Sequence, residues 1–247
     1  MFSAYLFKII DSLYKKLYNI VVKDVDSIKA FQKRELVKKD YNLIANMYSE
    51  EFGKKYEDIE VIEEFISKLK PNSRILDLGG GVGNLTDLLL KRGFDAICYD
   101  FSKEMMRNAK KLYSSVPYIL DDIINMKKHF KDNSFDGIIA FYSLFHIPKE
   151  EIDEVFSYMT DLLKENGILC FVVQLGNGEK FIDEPYLKEE GRKMLYFNYF
   201  TNKQIDELLK RHNFEKVYEQ IKDEIGENKL GEDGNKKIFI IAKKTRK

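Results

Sequence analysis

Ile75-Leu76-Asp77-Leu78-Gly79-Gly80-Gly81-Val82-Gly83-Asn84-Leu85-Thr86 decides how the rest of the chain is read. An apolar run with the character of a buried strand passes through an acidic residue into glycines at 79, 81 and 83, and a helical pattern follows. A strand that turns sharply into a helix needs glycine where φ is positive or where a ligand approaches the backbone. The helix behind such a turn offers unpaired N–H groups to that ligand. The dinucleotide fingerprint G-x-G-x-x-G would require glycine at position 84, where Asn84 stands. Asp77, just ahead of the loop, repels a pyrophosphate and suits a nucleotide-like cofactor with an ammonium group.

Composition narrows the class. The chain has 247 residues, long enough for one substantial α/β core, and Lys+Arg and Asp+Glu are balanced at 41 each. A zero net charge carries no global footprint for nucleic acid. Cys98 and Cys170 lie in apolar strand-like runs and read as small buried hydrophobes, with neither a disulfide framework nor a metal site in view. Cytoplasmic location is expected. Phe2, Leu6, Ile9, Leu13, Leu17 and Ile20 give residues 2–22 an amphipathic helical period. Lys8, Asp11, Lys15 and Lys16 interrupt it, so it is no membrane span. It reads as a helical extension over residues 1–40, suited to capping the domain or to a homodimer contact.

From residue 40 onward helix and strand signals alternate, which predicts a doubly wound, mostly parallel sheet with helices on both faces. Helices are expected at 41–52, 59–69, 85–91, 102–112, 150–164 and 201–211. Strands are expected at 74–78, 96–99, 117–120, 135–141, 168–173, 214–220 and 237–243. Ser102 is the N-cap of the fourth of these helices and Asn166-Gly167 the stop of the fifth. Residues 226–235 read as the loop between the last two strands.

The Asp-x-Gly-x-Gly-x-Gly pattern at 77–83 resembles motif I of the class I S-adenosylmethionine-dependent methyltransferases. The resemblance covers roughly residues 40–245. It implies a Rossmann-like seven-stranded sheet with the last strand antiparallel, and S-adenosylmethionine as cofactor. That cofactor has an amino acid end, a sulfonium and an adenosine, and no phosphate. Asp77, Gly79, Gly81 and Gly83 then form the cofactor loop. Asp100, at the end of the second strand and about twenty residues past the loop, matches the acidic residue that accepts from the ribose hydroxyls, and Phe101 can cover the adenine. Asp121 and Asp122 both end the third strand; Asp122 is preferred for the adenine amino group because Ile123 then supplies the apolar neighbour. Phe141 follows the fourth strand beside the cofactor. Tyr41 and Tyr48 resemble a tyrosine-bearing lid ahead of motif I.

The exit of the fourth strand, Phe141-Tyr142-Ser143-Leu144-Phe145-His146-Ile147-Pro148, looks like the small-molecule branch of the family. The Asn/Asp-Pro-Pro-aromatic run associated with amide or exocyclic amine methylation is absent, and so is a Pro-Cys pair. His146 is the candidate general base or substrate contact, against a plainer reading as a histidine fixed by a backbone carbonyl. His129 and His212, among charged residues, read as solvated. Residues 176–200 are rich in aromatics and form the expected acceptor-site insertion, with Tyr142, Tyr196 and Tyr199 as substrate candidates; a helix pair packing its aromatics into the core is the alternative. The implied function is methyl transfer to a small-molecule acceptor by in-line displacement. Methylation of RNA or protein, aided by a patch at Lys127, Lys128 and Lys131, and a non-catalytic cofactor-binding partner subunit are the competing readings.

Overall fold

In the computed structural model, residues 25, 28–56, 58–183, 194–223 and 236–246 are described. The amphipathic segment 2–22 and the loop 226–235 lie outside them. Seven strands form one sheet in the order β3-β2-β1-β4-β5-β9-β8. They are β1 (Arg74–Leu78), β2 (Asp95–Asp100), β3 (Tyr118–Leu120), β4 (Phe135–Ala140), β5 (Leu163–Gln174), β8 (Phe214–Asp223) and β9 (Lys236–Lys244). The first five pair in parallel, and β9 runs antiparallel between β5 and β8. A separate antiparallel ribbon joins β6 (Glu179–Asp183) to β7 (Met194–Asn198).

Successive side chains of a strand face opposite ways, and both faces of this sheet are apolar. Leu76, Leu78, Ile138, Ala140, Leu169 and Phe171 pack into one core layer, Ile75, Ile139, Ile168, Cys170 and Val172 into the other. Near-continuous apolar runs such as Ile75–Leu78 are what a strand covered on both sides demands. Each fully buried leucine or isoleucine contributes about 1.5–3 kcal/mol. The layers are closed by helices α1 (Ala30–Phe52), α2 (Ile59–Ser67), α3 (Asn84–Lys91), α4 (Lys103–Leu112), α5 (Met126–His129), α6 (Lys149–Leu162) and α7 (Asn202–Arg211). Ser102 Oγ accepts from Met105 N at 3.2 Å and so caps α4 as expected. Thr201 and Gln204 cap α7 reciprocally.

Four features depart from the sequence reading. Helix α1 starts at Ala30, so residue 40 falls inside a continuous helix. Its early charges are buried: Lys33 and Arg34 are almost inaccessible because each has acidic partners. The Asn166-Gly167 pair does not stop α6. Strand β5 starts at Leu163, and left-handed Asn166 belongs to an irregularity where Phe135 pairs with Leu163 but Gly137 with Ile168. The described part of 176–200 is the β6–β7 ribbon, not a helix pair. His212 is buried against Phe156, and its Nε2 donates to Asp153 Oδ1 at 3.1 Å.

Candidate functional site

In an open sheet of this order, ligands gather at the carboxyl ends of the strands where the strand order reverses. Here β1 lies between β2 and β4. A cavity of about 720 Å³, counting the space open to solvent, sits there, and a second of about 640 Å³ adjoins it across the glycine loop.

The glycine loop is shaped by its backbone. Gly79 N–H and Gly80 N–H both reach the Tyr99 carbonyl, at 2.7 and 3.3 Å, which folds the loop back over β2. Gly79 has φ 76°, and a Cβ there would lie 2.3 Å from Ser143 Cβ. Gly81 has φ 55° with nothing within 4 Å of the added Cβ; its side faces open cavity, as a backbone approached by a ligand should. Gly83 has φ 77° and is the N-cap of α3, outside the cavity lining. Asp77 is buried below the loop, where Thr86 Oγ1 donates to its Oδ2 at 2.6 Å. Burial pushes its carboxyl up to about 7, with the nearby Asp100 charge adding to the effect.

Asp100 lies in the cavity wall, holding two backbone groups: Gly81 N–H donates to Oδ2 at 3.0 Å and Ser102 N–H to Oδ1 at 2.7 Å. Burial raises this carboxyl to about 6 against those two hydrogen bonds. A carboxylate has about four acceptor sites, so sites remain for hydroxyl donors. Phe101, Asp121, Asp122 and Ile123 line the same cavity. Asp121 Oδ2 is engaged by His129 Nε2 at 2.7 Å. Asp122 Oδ2 accepts from Arg34 Nε at 3.0 Å.

Helix α1 covers the mouth. Arg34, Tyr41 and Tyr48, seven residues apart, form one stripe along the cavity. Arg34 is held by Glu151 as well as Asp122. Asn42 Oδ1 accepts from Ser102 Oγ at 2.9 Å, and Asn108 Nδ2 donates to the Ala45 carbonyl at 3.0 Å, fastening α1 to α4. Opposite α1, the exit of β4 supplies Phe141, Tyr142, Ser143, His146 and Ile147. Tyr142 has φ 56°, an uncommon conformation for a bulky residue. Its hydroxyl is hydrogen-bonded to Asp58.

His146 is 6 % exposed and bonded through both ring nitrogens. Nδ1 is 2.8 Å from the Tyr196 carbonyl and Nε2 is 2.8 Å from the Tyr41 hydroxyl. A carbonyl only accepts, so Nδ1 carries the proton and Tyr41 donates to Nε2. Burial drives the imidazole pKa down to about 4, so the ring is neutral.

The structure thus gathers Tyr41, Tyr48, Gly79, Gly81, Asp100, Phe101, Asp122, Ile123, Phe141, Tyr142 and His146 around one cavity, with Asp77 in the adjoining one. Tyr196 and Tyr199 are buried and do not line it. Arg34, Tyr99 and Ser143 do, and sequence reasoning missed them. For Arg34 the available signal was its seven-residue spacing from Tyr41. Lys127 in the expected basic patch is paired with Asp132 and Asp161.

A family model described as "Methyltransferase domain" matches residues 51–219. An uncharacterized methyltransferase of Alkaliphilus oremlandii is 26% identical over 170 residues, covering 64% of this chain and 75% of that relative. Phosphoethanolamine N-methyltransferase 1 of Triticum aestivum is 23% identical over 124 residues, which is 47% of this chain but 25% of the wheat protein. The crystal structure of Burkholderia thailandensis 1,6-didemethyltoxoflavin-N1-methyltransferase, with its substrate and S-adenosylhomocysteine, superposes with TM-score 0.68 at 16% identity, over 89% of this chain and 92% of that one.

The residues present fit the cofactor of that family. Gly81 leaves open space at the cavity, and Asp100 keeps acceptor capacity beside it. Tyr41, Tyr48, Phe101 and Phe141 line the cavity, and aromatic faces of this kind would suit a sulfonium. This chain belongs to the class I methyltransferase-domain family, with S-adenosylmethionine as its cofactor.

Proposed function

We propose that the chain transfers a methyl group to a proton-bearing small molecule, and that Tyr41 positions the acceptor. One observation carries the reading: the Tyr41 hydroxyl, on a helix lying over the cavity, is turned toward His146 Nε2. Held in that direction and lining the cavity, the hydroxyl stands beside any molecule bound there. A space flanked by α1 on one side and the β4 exit on the other suits a ligand of drug-like size.

S-adenosylmethionine, when bound, supplies an already activated sulfonium methyl. Asp100 and the Gly79–Gly81 loop are the groups to hold its ribose and amino acid end, Asp122 and Ile123 its adenine, and Phe101, Phe141 and Tyr48 its apolar flanks. The remaining task is to hold a nucleophile in line and free of water, which can account for most of the rate. Tyr41 does this by hydrogen bonding; S-adenosylhomocysteine is the leaving group, and the acceptor's proton passes to water after the transfer. Of the roles the sequence left open for His146, general base is the one this reading disfavours, and a histidine fixed by a backbone carbonyl the one it takes. Moving its pKa from 6.5 to about 4 makes protonation at neutral pH harder by roughly 3 kcal/mol than for a free imidazole. Its neutral ring instead fixes the direction of the Tyr41 hydroxyl. The β6–β7 ribbon backs this wall through the Tyr196 carbonyl on His146 Nδ1, and the ribbon is assigned to the acceptor side.

The wheat relative acts, by its name, on phosphoethanolamine, and the Burkholderia protein on 1,6-didemethyltoxoflavin. Both are small molecules, in keeping with the proposal. Incubation of the protein with methyl-labelled S-adenosylmethionine and fractionated cell extract tests it. Label is expected in the low-molecular-mass fraction; label confined to RNA or protein would refute the small-molecule reading.

A further inference from the structure

Two adjacent carboxylates follow β3 in the cavity wall, and they are used differently. Asp121 Oδ1 accepts from Asp122 N–H at 2.7 Å and from Asn125 Nδ2 at 2.8 Å, and its Oδ2 is engaged by His129 Nε2 at 2.7 Å. A carboxylate has about four acceptor sites, so Asp121 is largely occupied by its own surroundings. Asp122 Oδ1 has only a long contact from Ile124 N–H at 3.4 Å, and its Oδ2 accepts from Arg34 Nε at 3.0 Å. The Tyr99 hydroxyl, donating to the Asp122 carbonyl at 2.7 Å, fixes the backbone there. Asp122 is thus the carboxylate with capacity for a ligand, and its orientation is set from a distant part of the chain.

Arg34 comes from α1, 88 residues before Asp122. It is 4% exposed and shares the cavity wall with Asp121, Asp122 and Ile123. Its Nη1 is bonded to both oxygens of Glu151, in the first turn of α6. A planar guanidinium presents its donors in fixed directions, so the grip of Glu151 on Nη1 also aims Nε–H at Asp122. A buried ion pair is weak evidence for stability, because desolvation offsets the attraction. What this cluster supplies is a direction for the Asp122 carboxylate, which would otherwise choose among several rotamers.

We infer that Arg34 is a positioning residue for the choice of cofactor: it holds the Asp122 carboxylate against the base, so that the chain takes a 6-amino purine and rejects a 6-oxo one. This rests on the reading of Asp122 as the adenine contact. The 6-amino group of adenine donates, and a carboxylate only accepts. A 6-oxo base puts a carbonyl oxygen in the same place, so two acceptors face each other and the hydrogen bond is lost. Without the guanidinium the Asp122 side chain keeps, among the described residues, only the 3.4 Å contact from Ile124 N–H. It can then turn away and leave the edge of the base to water, which donates and accepts alike.

Calorimetric titration of the full chain with S-adenosylhomocysteine and with S-inosylhomocysteine, its 6-oxo analogue, reads the selection as a ratio of affinities. The wild type should favour S-adenosylhomocysteine by about 10–100-fold, the worth of one hydrogen bond to a charged group. Asp122→Asn, whose amide can donate to a 6-oxo group, should abolish the preference. Arg34→Met/Glu151→Gln removes the guanidinium together with the charge it would leave unpaired on Glu151, and should lower the ratio about tenfold. A general loosening of the site would weaken both ligands alike and leave the ratio unchanged, so the ratio isolates the positioning role. Circular dichroism identifies which variants are folded, and Arg34→Gln carries the comparison if the double variant is not. An undiminished ratio in the folded Arg34 variant overturns the inference while leaving Asp122 on the adenine. A wild type without preference, or an Asp122→Asn variant that keeps it, overturns both the inference and that assignment. Absence of S-adenosylhomocysteine binding by the wild type would defeat the cofactor reading and the inference with it.

Discussion

The Gly81 amide donates to Asp100 Oδ2 at 3.0 Å, tying the glycine loop after β1 to the carboxylate at the end of β2. The contact joins the two elements on which the cofactor is expected to sit, and it makes the charge of Asp100 part of the loop's geometry.

Burial holds the Asp100 carboxyl at about 6, and ribose hydroxyls bind its ionised form. The Asp100 contribution to S-adenosylhomocysteine affinity should then weaken toward tenfold per unit as pH falls through 6. Calorimetry between pH 8 and 5 measures this. Asp100→Asn should bind more weakly throughout and lose the pH dependence; a variant that keeps the slope would place its origin elsewhere.

The two cavity-lining glycines should respond differently to alanine. In Gly79→Ala a left-handed backbone and a Cβ at 2.3 Å from Ser143 Cβ act together, at a cost of about 3 kcal/mol or more. Gly81→Ala meets no atom within 4 Å and should cost only about 1–2 kcal/mol of backbone strain. Its new methyl protrudes into the cavity, so cofactor affinity should drop about tenfold while the protein stays folded. Chemical denaturation and calorimetry on both variants decide it.

Tyr41→Phe removes one hydroxyl from the cavity wall. Once an acceptor is in hand, kcat should fall by about 10–100-fold, the scale of one positioning hydrogen bond to the reacting group. Affinity for S-adenosylhomocysteine should change by less than about threefold. Equal losses in both would make Tyr41 a cofactor contact only.

His146 should leave a signature in acid stability. Its folded pKa, about 4, lies below the unfolded value of 6.5, so the unfolded chain binds the extra proton between those limits. The stabilisation is fully present above pH 6.5 and is lost as pH falls toward 4, to a total of about 3 kcal/mol. Asp77 and Asp100, raised by burial, slope the opposite way. The difference between wild type and His146→Gln therefore isolates the histidine. Denaturation at pH 7 and 4.5 should show the wild type losing more stability than the variant; parallel losses would mean the ring is already protonated or exposed.

The sheet and cofactor half of the site were legible because local chemistry dictates them. Glycines 79, 81 and 83 stand where φ is positive, Ser102 is a cap by its own side chain, and Ile75–Leu78 is apolar on both faces. Asp100 follows by spacing alone. What escaped depends on partners far along the chain. Lys33 and Arg34 sit in a run of charges with no local sign of burial, and Asp122, Glu150, Glu151 and Glu179, 88 to 146 residues on, make it tolerable. Tyr196 and Tyr199 lie in consecutive aromatics with no period of either 2 or 3.6, so the ribbon could not be read, although the alternative of aromatics packed into the core anticipated their burial. His212 looked solvated between Arg211 and Asn213 because Asp153 and Phe156 are supplied by α6.

Calorimetric titration of the wild type and Asp100→Ala with S-adenosylmethionine, S-adenosylhomocysteine and NAD tests the account most directly. Micromolar binding of both sulfur compounds, none of NAD, and a loss of about 1–3 kcal/mol in the variant are predicted. Failure of either sulfur compound to bind the folded wild-type protein, or equal affinity in Asp100→Ala, would contradict it.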